Sequence, residues 1–395
     1  MTALTPIRTA GEEALIARLA GAGTPAAAAA RAGLAASGLP GRRMEAFKWS
    51  DLRAALADGL PDATGAAPAL PAFLPDDVLT ISFGPLGAGV EGRPEPGLSL
   101  DVEAAPPARA GEGLAGLCAG LAPRTLVLRV DAPLARPVVV LRAPGAPGRL
   151  ALELGEGAGL TLIDVSGGEA GLSSLLIEAD LGPGARLRRL TLQDGGAGAI
   201  DLACADVRLG AAAVYAATGL AFGGRFARAE TVVTMAGEGA RCTLNGAYLL
   251  EGARHADATT RVIHAAPGGQ TRELFKGAAT GKARGVFQGK ILVERAAQNT
   301  DARQNHHALL LSEGAEIDAK PELEIYADAV SCAHGNTIGA LDDGALFYAR
   351  ARGIPEADAR AMLVRAFIAE VFDAVEEEAA RDWMAGLASA WLERL

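Results

Sequence analysis

Cysteine is scarce and scattered in this sequence. The four present, Cys118, Cys204, Cys242 and Cys332, form no Cys-x-x-Cys pair and no zinc-like spacing. That usage argues against a disulfide framework and fits a reducing, cytoplasmic setting. Aromatic residues make up only 4% of the chain, and two of its three tryptophans fall in the last residues. Sugar-ring platforms along a groove are therefore not expected. No run reaches the ~18 apolar residues of a membrane span. The opening residues lack a basic segment followed by an apolar core, so no export signal is expected. No Gly-x4-Gly-Lys-Ser/Thr phosphate loop occurs, so the chain is not expected to hydrolyse ATP. A net charge of -10 argues against nucleic acid or anionic membrane as the main partner.

What is present is globular: 50% hydrophobic against 21% charged. Residues 1–60 read as a helical region. Glu12 and Glu13 suit a first turn, Leu15, Ile16 and Leu19 make a short stripe, and Pro25 opens a second, Ala-rich helix. Phe47 and Trp49 are expected to pin this region to the body, with Arg42, Arg43 and Lys48 left in solvent. Pro, Gly and Ala then mark 61–125 as a loop-rich connection into the core.

Over 126–345 the pattern becomes short apolar runs punctuated by glycine, the mark of an all-β body. A turn recurs at Gly157-Ala158, Gly184-Ala185, Gly210-Ala211 and Gly239-Ala240, with Gly268-Gly269 and Ala296-Ala297 as looser copies. Successive offsets are 27, 26, 29, 29 and 28 residues. A period in the high twenties suits one coil of a parallel β-solenoid. In 346–395 two helices are expected. Leu363, Phe367 and Val371 lie along the first, and Trp383, Leu387 and Trp391 along the second, each at four-residue spacing.

The richest chemistry lies in Pro321–Gly353. At the two-residue period of an unbroken strand, Leu323, Ile325, Ala327, Ala329, Ser331 and Ala333 share one face, small and apolar and suited to a tight interior. Glu322, Glu324, Tyr326, Asp328, Val330, Cys332 and His334 share the other. A thiol and an imidazole on one face can hold a soft or borderline metal, or act as nucleophile and base. On composition alone, a structural cysteine beside a surface histidine is the commoner arrangement. The neighbouring His306 and His307 face opposite ways on a strand and cannot readily share a metal. His255 and His264 lack companions to complete a ligand set, and the run Lys276, Lys282, Arg284, Lys290 reads as a solvated face.

Several segments carry a family resemblance. They are Phe275-Lys276-Gly277, Gly285-Val286-Phe287-Gln288-Gly289-Lys290, and Asp301-Ala302-Arg303-Gln304-Asn305 followed by Leu309-Leu310-Leu311. They continue with Lys320 to Asp328, Cys332-Ala333-His334-Gly335 and Leu346 to Ile354. In this order the carboxy-terminal half resembles the SufB/SufD family of iron–sulfur cluster assembly proteins, on its SufD side. Arg43 to Leu52 resembles an amino-terminal motif of the same family, with Phe47 in its Trp place and Trp49-Ser50 in its Tyr-Thr place. Asn336 departs from the family's usual Ala.

The resemblance implies a mainly β fold, a right-handed parallel β-helix core flanked by an N-terminal helical region and a C-terminal helical domain. It implies a non-catalytic scaffold that pairs with a SufB-like subunit through the β-helix end and docks a SufC-like ABC ATPase through its terminal helices. Homodimers are possible in isolation. A transient iron–sulfur cluster, shared with the SufB-like subunit and not held tightly by this chain alone, would take His334 as a ligand, with Cys332 beside it. The partner faces so implied are Glu324, Tyr326 and Asp328 for the β-helix end, and Leu363, Phe367 and Val371 for the helices. A polysaccharide-active β-helix enzyme and a purely structural partner subunit are the alternatives.

Overall fold

A computed structural model describes residues 8–85, 87–109 and 113–394. In chain order the helices are α1 (Ala10–Ala22), α2 (Pro25–Ser37), α3 (Leu52–Ala55), α4 (Gly113–Leu121), α5 (Asp343–Ala351), α6 (Glu356–Ala369) and α7 (Glu378–Leu392). The strands open with β1 (Thr80–Gly84), β2 (Gly87–Glu91), β3 (Leu98–Ala104), β4 (Arg124–Val130), β5 (Val138–Arg142) and β6 (Pro147–Leu154). They continue with β7 (Gly159–Leu181), β8 (Arg186–Leu209), β9 (Val214–Ala221), β10 (Phe226–Met235), β11 (Arg241–Leu250) and β12 (His255–His264). The last are β13 (Gln270–Ala279), β14 (Arg284–Val293), β15 (Thr300–Leu310), β16 (Glu316–Ile325) and β17 (Val330–Gly339).

These strands wind a parallel β-solenoid of about eight turns with helices at either end of the chain. Each turn gives one strand to each of two sheets. The front sheet runs through β4, β6, the second halves of β7 and β8, then β10, β12, β14 and β16. The back sheet runs through β1, β5, the first halves of β7 and β8, then β9, β11, β13, β15 and β17.

Turn chemistry explains the repeat. Gly157, Gly184, Gly239 and Gly268 sit at φ near +70°, a region where a side chain is strained. Ala158, Ala185 and Ala240 follow three of them into the core with no exposed surface. In the turn at Gly210-Ala211 the left-handed position falls instead on Ala212, at φ 54°.

The first strands of the sheets are shielded from edge pairing: antiparallel β2 covers β1, and antiparallel β3 covers β4. Both lie in the segment read from sequence as loop-rich. That segment holds β1, β2, β3 and α4 within 61–125, because Pro and Gly there punctuate short strands rather than replace them. At the other end β16 and β17 receive no further strand among the described residues.

Each sheet's outer face is covered by helices. Leu15, Leu19, Leu34 and Leu117 pack with Leu172, Leu176, Ile200 and Leu202 of the front sheet. Phe47 is buried, its ring under the Arg228 guanidinium at 4.1 Å, while Arg42, Arg43 and Lys48 are exposed. On the back sheet, Val364, Ile368, Phe372 and Trp391 pack against Leu190, Leu192, Leu220 and Leu249. The buried stripe of α6 is thus Ala359, Val364 and Ile368, one residue along from the expected Leu363 and Phe367, which are half-buried. Val371 lies beyond the helix in a 3-10 turn and is fully buried. It holds the chain to its own sheet and presents nothing to a partner. Lys276 also departs from the expected solvated run. Its ammonium caps α6 by donating to the Phe367 carbonyl at 2.8 Å and pairs with Glu370, which lets its apolar stem be buried.

Candidate functional site

The strand carrying the Cys-x-His motif is not continuous with Pro321–Ile325. The chain bends over 326–329, leaving β16 in the front sheet and starting β17 in the back sheet. The bend changes which residues face inward. Leu323 points into the solenoid, as expected. On β17 the inward residues are Val330, Cys332, His334 and Asn336, because they pair with Thr300, Ala302, Gln304 and His306, all buried.

Cys332 and His334 therefore do share a face, but it is the interior face of the last coil, seen from its open end. Cys332 is half-buried against a small apolar cluster that includes Ile291, Ala302 and Leu323. Burial raises its thiol above the ordinary value, opposed by the amide of Ala302. His334 is exposed. Glu324 is exposed on the outer face of β16, with Lys290 Nζ at 2.6 Å. Tyr326 and Asp328 are exposed in the bend. None of these three shares the interior face.

Beneath the motif lies a stack the sequence reading passed over. Parallel register places Glu273 of β13 under Gln304 of β15, and Gln304 under His334. Gln304 Nε2 donates to Glu273 Oε2 at 2.7 Å, and Thr260 Oγ1 donates to the same oxygen at 3.1 Å. Burial pushes the Glu273 carboxyl up to about 7, against those two hydrogen bonds. One rung across, His306 Nδ1 meets Asn336 Oδ1 at 2.7 Å and Nε2 meets Tyr248 Oη at 2.8 Å. These partners assign a neutral ring with its proton on Nδ1. Burial holds the His306 imidazole down to about 4, although the Asn336 hydrogen bond opposes this. His307 faces outward, to Thr337. The spacing of 30 to 31 residues between Glu273, Gln304 and His334, close to one coil, is the signal that could have found the stack.

Chemically, the open end offers one thiol and one imidazole. Among the described residues no group of three or more His, Cys, Asp and Glu side chains is assembled closely enough to hold a metal ion. A thiol and an imidazole can both bind iron, but two donors leave most of its coordination sphere to other ligands.

A family model for the SUF system FeS cluster assembly, SufBD core domain, matches residues 141–367. The chain is 38% identical over 156 residues to the iron–sulfur cluster assembly protein SufD of Escherichia coli, covering 40% of this chain and 37% of that protein. It is 32% identical over 203 residues to a SufBD family protein of Synechocystis sp., covering 51% and 45%. To a SufBD family protein of Mycobacterium tuberculosis it is 32% identical over 255 residues, covering 61% and 64%. The chain thus spans less than two thirds of the length of each of these relatives.

Proposed function

The chain belongs to the SufBD family of the SUF iron–sulfur cluster assembly system, and from that premise we propose that it serves as the SufD-like subunit of a SufB–SufC–SufD scaffold. In this reading the uncovered edges of β16 and β17 receive a SufB-like subunit. That pairing brings partner ligands over Cys332 and His334, and a nascent cluster forms between the chains. The observation that carries it is an incomplete donor pair at an unpaired sheet end. A site missing most of its ligands suits a cluster that is built and then released.

A SufC-like ATPase would dock on the terminal helices. Val371 is not available for this. The exposed large hydrophobic side chains there are Phe347, Tyr348 and Met362, so they replace Val371 in the proposed contact, beside half-buried Leu363 and Phe367. The chain itself contributes no phosphate loop and is proposed to be non-catalytic.

Iron and sulfide analysis of the co-purified complex tests the reading. His334→Ala should abolish cluster loading while the complex stays assembled, and Cys332→Ala should cost less, since its thiol is half-buried. Wild-type loading in the His334→Ala complex would make this chain a structural partner without a ligand of its own.

A further inference from the structure

The stack under His334 ends in an unanswered question of hydrogen bonding. Glu273 and Gln304 are 2% and 0% exposed. The side-chain amide of Gln304 has its nitrogen committed to Glu273 at 2.7 Å. Its Oε1 must then diverge from that carboxylate, because oxygen and nitrogen leave the amide carbon in opposite senses. This oxygen is buried and has no partner among the described residues. An orphaned buried acceptor is destabilising, because it has lost its water without gaining a donor. The two neighbouring columns differ. Ala302 under Cys332 needs no partner, and His306 under Asn336 is already bonded at 2.7 Å. Only the Gln304 column ends with a free acceptor below an imidazole. Paired strands lie about 4.8 Å apart; the His334 ring is exposed and not bonded to Gln304 in this structure, so the contact forms when the ring turns inward over the amide.

We propose that Gln304 and Glu273 are positioning residues for His334. Gln304 Oε1 accepts a hydrogen bond from His334 Nδ1–H, and Glu273 holds the amide in the sense that makes this possible. The imidazole proton is thereby fixed on Nδ1, and the Nε2 lone pair is presented at the open end of the solenoid. Outer partners that fix the tautomer of a ligating histidine tune metal affinity by 10- to 100-fold. The inference rests on His334 being a ligand, as proposed above, but the tautomer can be read without any metal.

The experiment is nitrogen NMR of the full chain carrying 15N-labelled histidine, at a pH where the ring is neutral. In the wild type, His334 is expected as the Nδ1–H tautomer, the one a free side chain disfavours. Gln304→Met keeps the volume but removes the acceptor, and should return His334 to the Nε2–H form. Glu273→Gln keeps an acceptor for the Gln304 amide and should leave the wild-type signal. Glu273→Leu removes that acceptor and should lose it. The proposal is overturned if wild-type His334 is the Nε2–H tautomer, or if Gln304→Met leaves the tautomer unchanged. Should any variant fail to fold, the wild-type spectrum still decides between the two tautomers. The complex's cluster content is the second readout: Gln304→Met should lower it several-fold and Glu273→Gln should not. An Nδ1–H tautomer together with normal clusters in His334→Ala would refute the ligand role and keep the positioning chain. The reverse pair of results would do the opposite.

Discussion

Acidification should loosen the last coil through His306, and the size of the effect follows from its surroundings. The ring is stacked on Phe287 at 5.0 Å and 4° and bonded at both nitrogens. Burial keeps it neutral in the folded state down to about 4, whereas an unfolded chain takes up the proton near the ordinary value of ~6.5. The unfolded state therefore binds more protons between these limits. The associated stability is fully present above pH ~6.5 and is lost as pH falls toward 4. The whole shift corresponds to ~3 kcal/mol, of which ~2 kcal/mol is lost by pH 5. His264, also buried and held down to about 4, adds in the same direction, and Glu273 opposes, so the wild-type curve alone is ambiguous. His306→Gln isolates one group. Urea denaturation of both proteins at pH 7.5 and pH 5 should show the wild type's advantage shrinking by ~2 kcal/mol. A difference constant to within ~0.5 kcal/mol would refute the claim that burial sets this ring's protonation.

Two further outcomes are expected. Ala212 occupies a left-handed position that its sister turns give to glycine. Ala212→Gly should raise stability by ~0.5 kcal/mol, the relieved strain being partly cancelled by the extra freedom of an unfolded glycine. A measurable fall in the denaturation midpoint would show the turn to be unstrained. Phe347 is 73% exposed on α5. Phe347→Asp should therefore leave thermal stability unchanged and weaken capture of a SufC-like ATPase by an order of magnitude in a calorimetric titration. Unaltered binding would move the contact elsewhere.

The periodic features were legible and the local ones were not. The glycine turns announced a solenoid because each coil must reverse the chain at a left-handed position, and a coil length recurs. The carboxy-terminal motifs carried the family. What failed was parity. An alternating pattern from Glu322 to His334 assumes one strand, and the bend at 326–329 moves Cys332 and His334 from the expected outer surface to the interior face. The stack of Glu273 and Gln304 is invisible to a reading along the chain, because its members are adjacent only across coils. Likewise Leu363, Phe367 and Val371 form a plausible stripe at four-residue spacing, but the helix turns to 3-10 at Glu370. Val364 and Ile368, one position along, take the sheet instead.

The central claim is that this chain supplies a histidine nitrogen to a cluster completed by its partner. The most direct measurement is pulsed electron–nuclear spectroscopy on the reduced, cluster-loaded complex in which only this subunit carries 15N-histidine. A strong 15N coupling to the cluster is expected, replaced by a 14N coupling when this subunit carries natural-abundance histidine. A paramagnetic cluster with no 15N coupling from this subunit would contradict it.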